Sequence, residues 1–279
     1  MSHRDLKTGL IIKLIVFLLP STGSAIERVA AAGAREAALS QAVVALPVSF
    51  SVFHNQAFLT ENLNFGVNLC YRQPYFIQEY HQSALSLVCP VPAAVFAIGV
   101  SQSAIADYKE SNIGISIAKK LSEKISAGIL INYFFLNFPE NGGHKGSFQV
   151  DGGIGYRFSK RLFMGFHLRN IAQSKIETFQ YNLSFPLIIR GGVSYMLTEQ
   201  IMMATEAVFD KENMLCFRNG LEYRILEYFW IRGGISTKPF QHSFGLGYSW
   251  NLFQLDFAMV HHEILGFTPT FSVSIKIQK

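Results

Sequence analysis

The residues best suited to chemistry in this sequence are a histidine pair and the two serines that follow it. His261 and His262 precede Glu263, and Ser272 and Ser274 lie in the next apolar stretch. Serine, histidine and carboxylate side chains can form a hydrolase site, and histidine and glutamate can bind a metal ion. Adjacent residues of a strand point to opposite faces, so His261 and His262 cannot easily share one ion. Because the sequence also lacks G-x-S-x-G, H-E-x-x-H and C-x-x-C motifs, we expect no catalytic residue, no metal site and no cofactor.

The histidine pair ends a stretch, residues 241–262, in which large apolar residues alternate with small or polar ones. Phe244, Leu246 and Tyr248 are separated by glycines, for example. A period of two residues predicts β-strands, here two strands joined at residues 251–252. Comparable runs cover most of the chain, at residues 62–72, 76–89, 93–104, 111–120, 123–138, 147–158, 161–170, 183–197, 200–210, 213–225, 228–237, 241–250, 253–262 and 268–278.

The composition indicates an unusually apolar surface. Hydrophobic residues make up 49% and charged residues 15% of the 279 residues, whereas soluble domains carry about 25% charged residues. No internal stretch has the roughly 18–20 uninterrupted apolar residues of a spanning helix, and a closed barrel is the other common way to cross a membrane. Most of the runs have close to the length of about 9–11 residues that a tilted strand needs. The sequence therefore predicts an all-β fold, a transmembrane antiparallel β-barrel of about fourteen strands over residues 62–279, in contact with outer-membrane lipid.

The lengths of the connections give an independent indication of the same fold. After every second run the connection is short, as at residues 121–122. After the other runs it is often longer, as at residues 105–110, 139–146 and 171–182, although residues 73–74 predict a tight turn. Outer-membrane barrels have short periplasmic turns and longer outer loops, so the short turns are expected in the periplasm.

Charged residues collect on the strand face opposite the apolar one. Buried charges need partners or water, and the lumen of a barrel offers both. We interpret these residues as a structural set that braces the lumen, in preference to a specific ligand site. The predicted lumen charges are Arg157, Arg169, Arg190, Glu206, Arg218, Glu222, Arg224, Arg232 and Asp256. The net charge of +5 comes from basic residues scattered singly along the strands, so no nucleic-acid partner is expected.

The first 61 residues differ from the rest of the chain. Positive residues, an apolar centre at residues 14–19 and the small residues Gly23, Ser24 and Ala25 predict a cleaved signal peptide over residues 1–25, and therefore export. Residues 26–61 are rich in alanine and alternate too weakly for a membrane strand. The lumen of a fourteen-stranded barrel is wide enough to need filling. We predict that residues 26–61, the plug segment, fold inside the barrel and are partly helical.

Two short motifs stand out in the plug segment. One is a G-A-R-x-A stretch, and the other follows the pattern N-P-A-x-L with Gln56 in place of the proline. The motif residues are Gly33, Ala34, Arg35, Asn55, Ala57 and Leu59. Together with the repeated strands after them, these motifs resemble the PorV/PorQ family, outer-membrane barrels of Bacteroidota that are similar in architecture to the FadL long-chain fatty-acid transporters.

The resemblance implies a fourteen-stranded barrel with an N-terminal hatch in the outer membrane of a Gram-negative, Bacteroidota-like cell. Named PorV/PorQ members serve type IX secretion, which implies secretion-system or surface proteins as partners. FadL-like members pass hydrophobic molecules, which implies a hydrophobic ligand. An accessory of protein secretion or surface assembly is the leading hypothesis, and a transport channel for hydrophobic small molecules is the alternative. The residues alone indicate a plugged outer-membrane barrel.

Overall fold

The computed structural model describes residues 32–61, 64–137, 144–177, 182–210 and 214–277. Among these residues, fourteen strands form a closed barrel in which every pairing is antiparallel and the first strand pairs with the last. This confirms the predicted fold class. The predicted signal peptide and the first residues of the plug segment, 26–31, lie outside the described residues.

Each strand of the barrel overlaps one of the predicted period-two runs. Two short strands, β8 and β9, form a separate two-stranded sheet within the predicted loop at residues 171–182 and the run that follows it. The strands are β1 (Phe65–Arg72), β2 (Tyr80–Val91), β3 (Ala94–Ile105), β4 (Tyr108–Lys120), β5 (Ile125–Asn137), β6 (His144–Arg157), β7 (Leu162–Arg169), β8 (Lys175–Glu177), β9 (Asn182–Ser184), β10 (Ile188–Met196), β11 (Ile201–Asp210), β12 (Met214–Leu226), β13 (Phe229–Thr237), β14 (Phe240–Trp250), β15 (Phe253–His262) and β16 (Gly266–Ile277).

The outer face of the barrel is apolar because alternation along each strand puts a large side chain outward at every second position. Ile115 is 63% exposed, Ile131 is 55% exposed and Phe271 is 53% exposed. Trp250 and Tyr228 are exposed at the end of the barrel with the short turns, the short-turn end, where an aromatic girdle is expected. In the described part of the chain, none of the helices combines the length and hydropathy needed to span a membrane.

Two connections at the opposite end, the loop end, differ from the prediction. β3 and β4 are joined by a two-residue turn at 106–107, so the longer loop predicted at residues 105–110 is wrong. The strand pairing continues to the turn, which leaves no room for a loop. The tight turn predicted at residues 73–74 is also wrong, because residues 73–79 separate β1 from β2 and include a 3-10 turn at Pro74–Phe76.

The rim of the barrel at the loop end has a step between β6 and β7. β6 pairs with β5 from His144 onward, but its pairing with β7 begins only at Gly152, opposite Leu168. Arg169, the last residue of β7, lies level with Asp151 in this register. Residues 144–150 of β6 therefore extend beyond the end of β7 by about 23 Å of strand, at a rise of about 3.3 Å per residue. On that side, no barrel strand of the described residues pairs with them.

The connection between β7 and β10 covers this step. The first residue of β10, Ile188, pairs with the last residue of β7, Arg169. Both strands therefore stop at the same distance from the short-turn end, well below the rim formed by β6. The described parts of the connection, residues 170–177 and 182–187, include β8 and β9. The Ile171 N–H donates to the Val150 carbonyl at 2.8 Å. At this point the wall of the barrel is made by a folded connection and not by a barrel strand.

Residues 32–61 of the plug segment lie inside the barrel. They form the short helices α1 (Ala34–Ala38) and α2 (Ser51–His54) and a 3-10 helix, Gln56–Glu61. α1 packs against β14 and β15, and the 3-10 helix packs against β4 and β5. Nearly all of these residues are buried. The role of the segment as a hatch stays a prediction.

Candidate functional site

The plug segment is joined to the wall by a chain of ion pairs that begins at Arg35 of α1. The Arg35 guanidinium donates to both carboxylate oxygens of Glu222, at 2.8 Å each. Glu222 also accepts from Arg232 at 2.5 Å, and Arg232 donates to Asp256 at 2.6 Å. Burial by itself would lower the pKa of Arg35, but the Glu222 carboxylate raises that pKa above its usual value. The motif arginine and three predicted lumen charges therefore form one network.

Glu206 of β11 is the centre of a second network. One of its carboxylate oxygens accepts from Arg190 at 2.7 Å and lies 3.6 Å from the guanidinium of Arg218. The other accepts from the backbone N–H groups of Val43 and Val44, at 3.0 and 2.9 Å. The side chain of Glu206 has no exposed surface, and a buried carboxylate requires this kind of compensation. Glu206 thus holds the backbone of the plug segment against the wall.

The other predicted lumen charges lie at three different places. Arg157 pairs with Glu61 at the end of the plug segment, and Lys120 lies 3.5 Å from the same carboxylate. Arg169 donates to a backbone carbonyl of α2 at 3.4 Å. Arg224 lies apart from the plug segment, where it donates to a backbone carbonyl in a short turn at 3.1 Å.

Asn55, in the second motif, joins two parts of the plug segment. Its side-chain amide donates to the Val44 carbonyl at 2.7 Å, and its side-chain oxygen accepts from the Ala57 N–H at 3.2 Å. Ala57 and Leu59 are both fully buried. Leu59 belongs to an apolar cluster with Phe50 that packs on the wall. The second motif therefore shapes the plug segment itself.

Gly33 and Ala34 of the first motif bind the wall through their backbone. The Gly33 N–H donates to the Cys70 thiol at 3.2 Å, and the Ala34 N–H donates to the Ser272 hydroxyl at 3.1 Å. Gly33 has a φ of 98°, in the left-handed region that favours glycine. The motif thus places the first turn of α1 against β1 and β16.

Glu36, the next residue of α1, is a buried carboxyl. It accepts from the Phe50 N–H at 3.3 Å. Burial raises the pKa of Glu36 to about 7, although hydrogen bonds from the backbone and the charge of Arg35 act in the opposite direction. Protonation of Glu36 is therefore coupled to the packing of the plug segment.

The backbone of the plug segment lies directly on glycines of the wall. A Cβ atom at Gly128 would be 2.7 Å from the carbonyl carbon of Gln56, and one at Gly165 would overlap the carbonyl oxygen of Val44. Any larger residue at these positions would push the segment away from the wall. The other wall glycines in close contact with the plug segment are Gly99, Gly153, Gly192, Gly220, Gly234 and Gly245.

An apolar cluster lies on the inner side of the step, near the loop end. Phe134 and Leu136 of β5 pack against Ile176 of β8 and against Phe185. The rings of Phe134 and Phe185 are 4.9 Å apart. Asn170 holds the connection in place, because its side-chain amide donates to the Phe185 carbonyl at 2.7 Å. The step in the rim is therefore lined with apolar side chains on its inner side.

The histidines and serines named first in the sequence do not come together. His261 packs against Phe267 in a tilted arrangement with ring centroids 4.4 Å apart, on the outer face of the barrel. Ser272 faces the lumen, where it accepts from the plug segment. Within the described ranges, no group of three or more His, Cys, Asp or Glu side chains could hold a metal ion. The absence of catalysis stays a prediction.

Three polar residues of the lumen were not among the predicted site residues. Glu36 is buried and Glu61 is partly buried, and both bind within the lumen. Each is an isolated acidic residue of the plug segment, and this isolation is the signal that could have revealed them. His167 of β7 has no exposed surface, and neither ring nitrogen has a hydrogen-bond partner in the described residues. The alternation along β7 indicates that His167 faces the lumen, but the sequence does not show that its ring lacks partners.

The fold and the lumen together define a plugged transmembrane β-barrel. The sequence matches no protein-family model and no curated protein. Among solved structures, it is similar to the CymD monoaromatic hydrocarbon channel, with a TM-score of 0.68 and 14% identity over 88% of this chain and 98% of that chain. The toluene transporter TbuX of Ralstonia pickettii gives a TM-score of 0.66 and 11% identity over 88% of this chain and 98% of the transporter.

A FadL homologue of Pseudomonas aeruginosa has the same fold as well. Its TM-score is 0.58, with 12% identity over 93% of this chain and 99% of the homologue. At these identities the similarity establishes the fold, which is that of FadL-like barrels. Nothing in these comparisons supports the resemblance to the PorV/PorQ family.

Proposed function

We propose that the protein is an outer-membrane channel for small hydrophobic molecules, the function predicted above as the alternative. The observation that carries the proposal is the step in the rim between β6 and β7, with its apolar lining. β7 has 8 residues, fewer than the roughly 9–11 that a strand needs to cross the hydrocarbon layer. The wall therefore changes from strand to folded connection at membrane depth.

Irregular backbone at membrane depth is tolerated where it is buried in protein or lines a cavity. The connection at residues 170–187 meets this condition, because Ile176 and Phe185 pack inward against β5. Ile171 is 45% exposed on the outer side of the same connection. Apolar side chains thus extend from the lipid-facing surface to the lumen, and an apolar solute dissolved in the outer leaflet can follow them.

The plugged lumen favours the same function. Ion pairs, backbone hydrogen bonds and glycine contacts hold residues 32–61 in place, so the described lumen is not a wide water-filled pore. The similar structures named as a monoaromatic hydrocarbon channel and a toluene transporter support the choice of an apolar solute. No observation on the described residues favours a role in type IX secretion.

The proposal is tested by a substitution that blocks the entrance at the step, between β6 and the connection. Gly152 faces outward at the base of the step, where an added Cβ would meet the end of the Ile171 side chain at 3.3 Å. Gly152→Trp would fill the entrance with an indole ring. In cells that express the protein in their outer membrane, we expect the initial uptake of radiolabelled toluene to fall to the level of cells without the protein.

Gly233→Trp is the matched control. Gly233 also faces outward, and the nearest atom to an added Cβ there lies 3.8 Å away, but β13 pairs with strands on both sides. This variant should take up toluene at the wild-type rate. Equal uptake by the two variants would contradict entry through the step.

A further inference from the structure

The wall around the plug segment has two sides with different chemistry. On β10 to β15, charged side chains such as Arg190, Glu206 and Glu222 bind the segment. On β1 to β3, the lumen-facing side chains are small and uncharged up to the level of Gly99. The residues on this side are Gly66, Asn68, Cys70, Ala84, Ser86, Val88, Val95, Ala97 and Gly99. We call their contact with the plug segment the β1–β3 seam.

The plug segment presents apolar side chains to the β1–β3 seam. Phe50, Phe53 and Leu59 pack on it in one cluster. Two hydrogen bonds also cross the seam, from the Gly33 N–H to the Cys70 thiol at 3.2 Å and from the Asn68 amide to the Ser49 carbonyl at 3.0 Å. This mainly apolar contact can open and close again without separating charges in a low dielectric, whereas breaking the ion pairs of the opposite side is strongly unfavourable. The seam is therefore the side on which the plug segment can give way to an apolar solute.

A cavity lies at the short-turn end of the seam. Its volume is about 170 Å³, and Ser49, Gly66, Asn68, Val88 and Lys276 are among its lining residues. Val88 belongs both to the cavity and to the apolar cluster of the seam. The other lining residues are Glu61 and Asn64, so the cavity is apolar at Val88 and polar on its other sides. By volume alone it has room for one aromatic ring, since a cavity of about 150 Å³ holds benzene in another protein.

A row of polar side chains crosses the wall beside the cavity. Asn68 of β1 pairs with Ser86 of β2 on one side and with Ser274 of β16 on the other. Ser86 has no exposed surface and Ser274 is 1% exposed. Neither hydroxyl has a hydrogen-bond partner within the part of the chain that the structure describes. Buried hydroxyls without a partner are unfavourable, and a polar group on a solute would satisfy them.

We propose that the β1–β3 seam and this cavity form the passage by which a solute moves past the plug segment to the periplasm. The cavity binds a small, mainly apolar molecule of about one aromatic ring with a single hydrogen-bonding substituent. The ring lies against Val88, and the substituent binds Asn68, the member of the polar row that lines the cavity. The neighbouring hydroxyls of Ser86 and Ser274 become accessible to the substituent as the seam opens. This inference rests on the proposed channel function and adds the route and the binding site.

The test uses a substitution that places a large side chain in the cavity, at a glycine where a Cβ atom fits without a clash. An added Cβ at Gly66 has its nearest neighbours at 3.8 to 3.9 Å, so Gly66→Phe should fold and direct its ring into the cavity. Gly191→Phe is the control, because Gly191 faces outward and an added Cβ lies 3.9 Å from the nearest atom there. Native folding of both variants is checked by circular dichroism.

Two measurements are made on the wild-type protein and both variants. The first is binding of 4-fluorobenzyl alcohol to the purified protein, followed by fluorine NMR. The second is uptake of radiolabelled benzyl alcohol by cells. We expect the wild-type protein and Gly191→Phe to bind and transport the probe, and Gly66→Phe to lose both activities.

The outcomes separate the inference from the function on which it rests. Binding by the wild-type protein that Gly66→Phe abolishes, without any uptake, would support the cavity as a site and contradict the channel. Uptake that Gly66→Phe leaves unchanged would support the channel and overturn the route. Absence of binding to the wild-type protein would overturn the site.

Discussion

The backbone at Gln56 rests on Gly128 of β5 so closely that a methyl group does not fit between them. An added Cβ at Gly128 would lie 2.7 Å from the Gln56 carbonyl carbon and 2.9 Å from the Ala57 nitrogen. Gln56 occupies the position of a proline in the motif that it otherwise matches. The close approach to a strand, and not a proline ring, therefore fixes the backbone here.

Gly128→Ala should destabilise the protein because the new methyl group must displace the 3-10 helix Gln56–Glu61. Overpacking of this kind typically costs about 1–3 kcal/mol. Urea unfolding of the protein in lipid vesicles measures the change. Gly191→Ala is the control, since an added Cβ there meets its nearest atom at 3.9 Å. Equal unfolding midpoints for the two variants would show that the plug segment is not packed on the wall.

Glu206→Gln should be among the most destabilising single changes to the lumen. It leaves the buried Arg190 guanidinium without its carboxylate partner, whose nearest oxygen lies 2.7 Å away. Removing one partner of a buried ion pair costs about 3–5 kcal/mol. The free energy of unfolding in urea measures this loss. Glu227→Gln, at an exposed turn residue, should leave the free energy unchanged, and an equal effect of both changes would contradict the network.

Stability should fall as pH rises from about 4.5 to about 7, because of Glu36. Its pKa is raised from 4.5 in the unfolded chain to about 7 in the folded protein. Between these values the folded state retains the proton that the unfolded state releases, so rising pH favours unfolding. Below pH about 4.5 both states bind the proton, and Glu36 makes its full contribution to the free energy of unfolding. Above pH about 7 both states have released the proton, and the free energy of unfolding no longer changes with pH because of Glu36.

The matched variant for this prediction is Glu36→Gln. It keeps the size of the side chain and removes the titrating group. The difference between the unfolding free energies of the wild-type protein and this variant should change by up to about 3 kcal/mol across the window. A difference that stays constant from pH 4 to 8 would mean that Glu36 has its usual pKa in the folded protein.

The double variant Ser86→Ala, Ser274→Ala should change the relative affinity of the cavity for polar and apolar aromatic molecules. The variant should still bind an aromatic ring. Without the two hydroxyls, the preference for benzyl alcohol over toluene should fall by about fivefold, since one hydrogen bond contributes about 1 kcal/mol. Binding of both probes to the purified protein measures the ratio. The control is Thr205→Ala. The Thr205 hydroxyl lies on the exposed outer face, where it donates to Asn219, and does not face the lumen.

The strands were predictable because lipid and lumen impose opposite chemistry on alternate residues. Residues such as Ile113, Ile115 and Ile117 have large side chains on one face only, and their exposure in the structure follows directly from that pattern. The connections at residues 105–110 and 73–74 were not predicted correctly, since polar residues can end a strand or continue it beyond the membrane.

The step and the cavity could not be predicted from the sequence because both depend on strand register. The apolar pattern of β7 does not show that it pairs only with the lower part of β6. In the same way, Ser86, Asn68 and Ser274 become neighbours only through the pairing of β1 with β2 and with β16. The glycines of the wall are visible in the sequence, but the sequence does not show that the backbone of the plug segment rests on them.

The most direct test of the channel compares two solutes in one type of cell. Cells with and without the protein in their outer membrane are given radiolabelled toluene or radiolabelled maltotriose, and the initial uptake rates are measured. A hydrophobic channel with a filled lumen raises the rate for toluene and leaves the rate for the sugar unchanged. An increase for the sugar, or no increase for toluene, would contradict the account.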